Sequence, residues 1–396
     1  MFENIIGQKD VVKVLSKELT EGQFPQASLF WGPVFSGKLS AALETARVLT
    51  CREVGDWACE CASCRMQKEL AHPHTVLLGY RYSEIEIAAS ADALRRVPKP
   101  STRFLFLRAV RKLVRRFDPL VWEADEARTR QAQDRIASIE ELLLPFSPPA
   151  ELPADDTLSK TLERIIQACA ELAAVMKNDH VGIAQVRRLS SWAHLTSAES
   201  LKVAVIENAD RMQDSARNAL LKLLEEPPEG VRLIVLTSRR SAIIPTILSR
   251  LRPYAFFARS PAEEMEVLAK IFRDETGRYT SLRSFFLAWK EINAEELGGL
   301  CRRFMERVSE REGACADILK EMEELFPGSA QRDRETVLSF LEELTIYMRC
   351  ALRQSAVELP ILEQWNRSVR EAQARIDLAN MNPQTVVESL FLRMRG

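Results

Sequence analysis

Leu201-Lys-Val-Ala-Val-Ile206, then Asn218-Ala-Leu-Leu-Lys-Leu-Leu-Glu-Glu-Pro-Pro-Glu-Gly230, then Val231-Arg-Leu-Ile-Val-Leu236: this stretch decides the fold. The two flanking apolar runs are long enough for buried strands and too short for helices. Between them Leu220, Leu221, Leu223 and Leu224 recur at helical spacing, and Pro227-Pro228 must end that helix because proline has no N–H to continue the ladder. Strand, helix, strand is a βαβ unit of a parallel sheet. Glu207-Asn208 and Thr237-Ser238 follow the two strands, at the carboxyl ends where open parallel sheets place ligands.

Upstream, Gln26-Ala-Ser-Leu-Phe-Trp31 reads as a strand that feeds into Gly32-Pro-Val-Phe-Ser-Gly-Lys38, with helical spacing from Ala41 to Leu49. This is the context of a phosphate loop, whose backbone N–H groups and helix N-terminus favour anions, with Gly32, Gly37 and Lys38 as its signature. The position that should carry a magnesium-binding hydroxyl is Leu39, and Ser40 lies one step, about 100°, further round the helix. Just beyond, Cys51, Cys59, Cys61 and Cys64 place four thiols within one short segment, a set able to close a tetrahedral structural Zn²⁺ site. His72 and His74 follow and are not expected to be ligands.

Near-neutral net charge (−1), 46% hydrophobic residues and 28% charged residues describe an ordinary globular chain, not a polycation. No run approaches a membrane span and the N-terminus lacks a signal-peptide profile, so the expected location is cytoplasmic, where clustered cysteines bind metal more often than they pair.

The Leu-Leu-Glu-Glu-Pro-Pro helix end, the cysteine cluster after the loop helix and Thr246-Ile-Leu-Ser-Arg250 together resemble the AAA+ clamp-loader subunits of the bacterial DNA polymerase III, the delta-prime subunits above all. The family's zinc module keeps two residues between its second and third cysteines, whereas this chain has only Glu60.

The resemblance implies an α/β AAA+ module over residues 1–257, a parallel sheet flanked by helices with a zinc module at 51–64; an all-α lid at 258–300 and an all-α collar for oligomerisation at 301–396 would follow. It also implies roles. Glu207 falls at the metal-holding position and Asn208 at the water-activating one, where an amide cannot act as a base. Thr237 is sensor-like, and Arg250 is an arginine finger for a neighbour's ATP.

The implied function is a clamp-loader subunit, a non-hydrolysing stator with ATP binding weak or absent. Its partners would be gamma/tau-like motor and delta-like subunits in a hetero-pentamer, which meets the sliding clamp and primer-template DNA. The alternatives are an active gamma/tau-like ATPase motor and a stand-alone zinc-dependent nucleic-acid-binding protein.

Residues from about 80 to 178 match nothing in that pattern and form a helical insertion. Phe104, Leu107, Val110, Leu113, Val114, Phe117 and Val121 predict one helix, and Leu158, Leu162, Ile165, Ile166, Cys169, Leu172 and Met176 another, joined by a proline-rich link into a surface hairpin. Arg108, Arg111, Lys112, Arg115 and Arg116 would form a solvated basic face on the first helix, with phosphate contact as the other option.

Overall fold

Five short strands form one parallel sheet: β1 (Ala27–Trp31), β2 (Thr75–Leu78), β3 (Lys202–Ile206), β4 (Val231–Thr237) and β5 (Arg252–Ala255), in the spatial order β2-β3-β4-β1-β5. The structure, a computed structural model, describes residues 1–79, 84–122, 126–175, 181–195, 201–290, 292–310, 315–325, 330–353, 357–377 and 381–395. Met176 lies outside the described residues. Two compact units divide the chain, Met1–Phe286 and Leu287–Gly396.

Parallel neighbours require crossovers, and helices supply them. In chain order, α1 (Lys9–Thr20) precedes β1, and α2 (Lys38–Thr50) and α3 (Ala62–Lys68) lie between β1 and β2. Between β2 and β3 come α4 (Glu84–Arg96), α5 (Pro100–Val114), α6 (Glu126–Leu143), α7 (Asp155–Ala173) and α8 (Ile183–His194). Then α9 (Asp214–Glu225) joins β3 to β4, α10 (Pro245–Leu248) joins β4 to β5, and α11 (Pro261–Lys270) and α12 (Leu282–Ala288) follow.

Because strand side chains alternate between faces, each strand feeds two cores. Leu29, Val76, Leu78, Ala204, Ile206, Leu233 and Val235 pack with residues of α8 and α9, among them Leu189, Trp192, Leu220 and Leu224. Phe30, Leu77, Val203, Val205, Ile234 and Leu236 pack instead with residues of α1 and α2, including Leu15, Leu39, Ala42 and Ala46. Burial on both faces is why β1, β3 and β4 read as mostly apolar runs rather than alternating ones.

The segment between β2 and α8 differs from the expected hairpin. It holds four helices, α4 to α7, around a core of its own that includes Leu94, Phe106, Val110, Ile139, Leu143, Phe146, Leu162 and Leu172. Two of the four escape a pattern search for a physical reason. Small alanines supply much of what α4 buries, and α6 buries only Ala132, Ile139 and Leu143.

The regular elements of the second unit, among its described residues, are all helices: α13 (Ala294–Glu310), α14 (Cys315–Leu325), α15 (Ala330–Arg353), α16 (Leu359–Asp377) and α17 (Pro383–Arg395). Phe304 meets Phe340 and Phe391 edge-on in its core, and Trp365 donates its indole N–H to the Met394 carbonyl at 2.9 Å.

Candidate functional site

The strand register brings the predicted nucleotide residues to one end of the sheet. Trp31 pairs with Thr237 and Ile206 with Val235, so the loop after β1 and the residues after β3 and β4 share the carboxyl edge. Gly32 opens the loop with φ +154. A Cβ there would stand 2.1 Å from the Phe256 carbonyl oxygen, which only glycine avoids.

The loop is satisfied from within. Lys38 Nζ donates to the carbonyls of Gly32 at 2.8 Å and Pro33 at 2.5 Å and lies 3.2 Å from the Ser36 hydroxyl. Arg259 donates to the Ile6 carbonyl at 3.0 Å and to the Phe35 carbonyl, and one of its terminal nitrogens would meet a Cβ built on Gly37 at 2.8 Å. Leu39 is buried in the apolar core with Leu43 and Phe30. The position that would need a hydroxyl faces hydrocarbon.

The carboxylate expected at the metal-holding position is also engaged. Glu207 is 5% exposed and forms an ion pair with Arg116, itself 2% exposed, which follows α5. Arg116 further donates to the carbonyls of Gly79 at 2.8 Å and Lys112 at 2.6 Å. Asn208 adopts φ 51, ψ 44, a left-handed conformation that asparagine takes more readily than most residues, and so turns the chain out of β3. The Thr237 hydroxyl donates to Asp210 at 2.7 Å and accepts the Arg239 N–H at 3.0 Å; the Arg239 guanidinium donates to the same carboxylate at 2.9 Å. Asp210 was not anticipated, although its place three residues past Glu207 put it at the same sheet edge.

The basic residues of α5 are not a solvated face. Arg111 pairs with Glu69 at 3.0 Å, Lys112 with Glu86, and Arg115 with Asp118 at 3.0 Å, while Arg115 also donates to the carbonyls of Leu70 and His72. The helix is packed on several sides, so its cations find carboxylates and carbonyls of the chain itself rather than water or phosphate. Periodicity could not show this, because the partners lie up to 91 residues away.

Arg250 sits just past α10, exposed at the surface. Its guanidinium contacts Glu225 of α9 at 2.8 Å and the Thr246 carbonyl at 2.8 Å.

The four cysteines converge. The sulfur atoms of Cys51, Cys59, Cys61 and Cys64 all lie within 4.8 Å of one another, with Cys51 3.7 Å from Cys59 and 3.9 Å from Cys61. Four thiolates about 2.3 Å from a tetrahedral Zn²⁺ stand roughly 3.8 Å apart, so the donor set fits a metal such as zinc. The single residue between Cys59 and Cys61 does not prevent it. Cys61 caps α3, and burial, which opposes its ionisation, is outweighed by the N–H groups of Arg52 and Cys64, holding the thiol down at about 6. Burial pushes the Cys64 thiol up.

Arg47 was missed by the sequence reading. Fully buried on α2, it grips Glu44 through two nitrogens at 2.9 and 2.7 Å, donates to Cys64 Sγ at 3.0 Å and reaches the Gly55 carbonyl at 2.9 Å. An always-charged fork beside a thiolate cluster both neutralises it and orients it. His72 stays outside the cluster, its Nε2 3.1 Å from the Ser63 hydroxyl; burial first, then the cations of His74, Arg115 and Arg52, hold its pKa down at about 4.

The family model described as "DNA polymerase III, delta subunit" matches residues 7–103 and 158–259, together half of the chain. The chain belongs to that family. The unmatched middle, 104–157, holds most of α5 and all of α6. Over 121 residues the chain is 33% identical to DNA polymerase III subunit delta' of Pseudomonas aeruginosa, covering 28% of this chain and 37% of that one. It is 34% identical over 79 residues to subunit delta' of Bacillus subtilis, covering 20% and 24%, and 33% identical over 97 residues to subunit gamma/tau of Mycobacterium bovis, covering 24% and 17%. The matches thus span 17% to 37% of the length of these relatives. Among the described residues no helix is long and apolar enough to cross a membrane.

Proposed function

We propose that this chain is a clamp-loader subunit of DNA polymerase III that hydrolyses no ATP itself and acts as a stator, presenting Arg250 to the ATP of an adjacent gamma/tau-like subunit. One observation carries the reading: the carboxylate at the magnesium position, Glu207, is buried against Arg116. Leu39 in the apolar core and Asn208 in a left-handed turn support it. Hydrolysis needs a metal clamp on the phosphates and a group that orients water, and this chain's residues provide neither.

Arg250 suits a role in trans because its guanidinium is exposed and held by Glu225, the Thr246 carbonyl and, at 3.5 Å, the Ser249 hydroxyl. A surface ion pair of this kind is worth at most about 1 kcal/mol, so a neighbour's triphosphate can displace the carboxylate. Cys51, Cys59, Cys61 and Cys64 would hold Zn²⁺ as a structural ion, with all four positions filled and none left for water. Residues 258–300 would serve as the lid and 301–396 as the collar that binds the other subunits of the pentamer around the sliding clamp and primer-template DNA. The stand-alone nucleic-acid reading loses most of its footprint, since Arg111, Lys112, Arg115 and Arg116 are bonded internally.

The test is steady-state ATP hydrolysis with Mg²⁺ and primed DNA, for the chain alone and with its motor subunits. The expected result is no turnover alone, and turnover in the mixture that falls by about a thousandfold with Arg250→Ala. Turnover by the chain alone that disappears with Lys38→Ala would overturn the stator and establish the motor.

A further inference from the structure

The ion pair between Arg116 and Glu207 joins two segments that have no reason of their own to meet. Glu207 directly follows strand β3, whereas Arg116 lies in the turn after α5, in the part of the chain that the family model leaves out. Gly79 brings them together. Its φ is +118, and a Cβ there would lie 2.6 Å from the Glu207 carbonyl oxygen, so the end of β2 closes onto the end of β3 as only glycine permits. The Gly79 carbonyl is thereby placed beside the Glu207 carboxylate. The last turn of α5 adds the Lys112 carbonyl.

Three hard oxygen acceptors therefore surround the Arg116 guanidinium, each met by a different nitrogen: a carboxylate from β3, a carbonyl after β2 and a carbonyl of α5. Oxygen-only ligation of this kind is what Mg²⁺ and Mn²⁺ choose, and thiol and imidazole groups take no part. A guanidinium fills the space between them instead. Both charges are almost wholly buried, so each needs the other: an isolated buried charge is strongly disfavoured, and here each is compensated.

We propose that Arg116 is a tethered cation that replaces a divalent ion at Glu207, and that the two compete for that carboxylate. The insertion thus supplies, from within the chain, a permanent occupant for the metal position. Unlike a magnesium ion, this cation arrives with no phosphate, leaves with no product and does not respond to the nucleotide state of the complex. The proposal rests on the assignment of Glu207 to the metal position. Its test does not involve Arg250 or a neighbour's ATP, so it and the stator reading can fail separately.

The measurement is Mn²⁺ binding to the full-length chain, followed by electron paramagnetic resonance, with folding checked by circular dichroism. Wild type and Arg116→Lys, which keeps a cation, are expected to bind no Mn²⁺ through Glu207 up to about millimolar concentration. Arg116→Ser is expected to gain Mn²⁺ binding at least about tenfold tighter, lost again in Arg116→Ser/Glu207→Gln. Mn²⁺ binding by wild type that Glu207→Gln removes would overturn the proposal, as would a folded Arg116→Ser chain with no gain. If Arg116→Ser does not fold, the apolar pair Arg116→Met/Glu207→Leu decides. Its folding supports charge matching as the role of Arg116, whereas its failure makes Arg116 a structural donor to the Gly79 and Lys112 carbonyls and ends the proposal.

Discussion

The phosphate-type loop and the cysteine cluster are linked by one helix, α2, yet they have fared differently. The loop keeps its shape, with Gly32, Gly37 and Lys38 in place, but its polar groups are engaged by its own carbonyls and by Arg259. The cysteine cluster has a shortened spacing and keeps its chemistry: four sulfurs at mutual distances suited to a tetrahedral ion. A motif can hold its backbone while its polar groups turn inward, or change its spacing and still bring its donor atoms together. The difference lies in what the surroundings ask of each. Around the loop, hydrocarbon and internal ion pairs surround the expected ligand positions, whereas around the cysteines N–H groups and the Arg47 guanidinium point inward and favour anionic sulfur, with one carboxylate, Glu53, 3.5 Å from Cys59.

The largest effect that would break this contrast concerns the cluster. Cys61→Ser is expected to abolish stoichiometric zinc, removing binding free energy on the order of 10 kcal/mol. Zinc release measured with a chromogenic chelator checks it, and a variant that still holds its metal would exclude Cys61 from the ligand set. Next comes the bridge between the two regions. Arg47→Met leaves Glu44 buried without its partner and is expected to cost about 3–5 kcal/mol in urea unfolding. It should also weaken zinc affinity by about 10- to 100-fold, an effect that loss of packing elsewhere would not produce.

On the loop side, Leu39→Thr returns a hydroxyl to the motif. The expected outcome is a loss of about 1–3 kcal/mol, because that hydroxyl enters an apolar core, with no gain of ATP turnover. Turnover above background would show that the loop lacks only this one group.

The smallest effect is one of pH. His72 has its pKa lowered from 6.5 to about 4, so the unfolded chain binds the extra proton first as the solution is acidified. The stability this neutral imidazole contributes is full above about 6.5 and is lost as pH falls through about 4. In thermal melts across that window, His72→Gln should show a shallower acid slope than wild type. An unchanged slope would assign the acid sensitivity to other groups, the thiolates first.

The sheet was legible where burial on both faces makes a strand mostly apolar, as in β1, β3 and β4. It was not legible at β5, where two exposed residues, Arg252 and Pro253, disguise an edge strand, nor at β2, four residues that follow the cysteine module. Among site residues, the four cysteines could be grouped because they lie close together in the chain. Arg116, Asp210, Arg239 and Arg47 could not be assigned partners, since each acts through tertiary contacts that periodicity does not encode. The basic residues of α5 illustrate the limit: the sequence shows five cations on a helix and is silent on the carboxylates that fold over them.

Gly32 carries a consequence for how such motifs are interpreted. A side chain at that position would collide with the backbone leaving β5, whatever does or does not bind to the loop. In a saturation-mutagenesis screen for folded protein, Gly32 would therefore stand out as intolerant while no nucleotide was present at all. A glycine that marks a ligand site in one protein can persist in another as a clearance between two strands, and its survival then reports on architecture rather than on affinity.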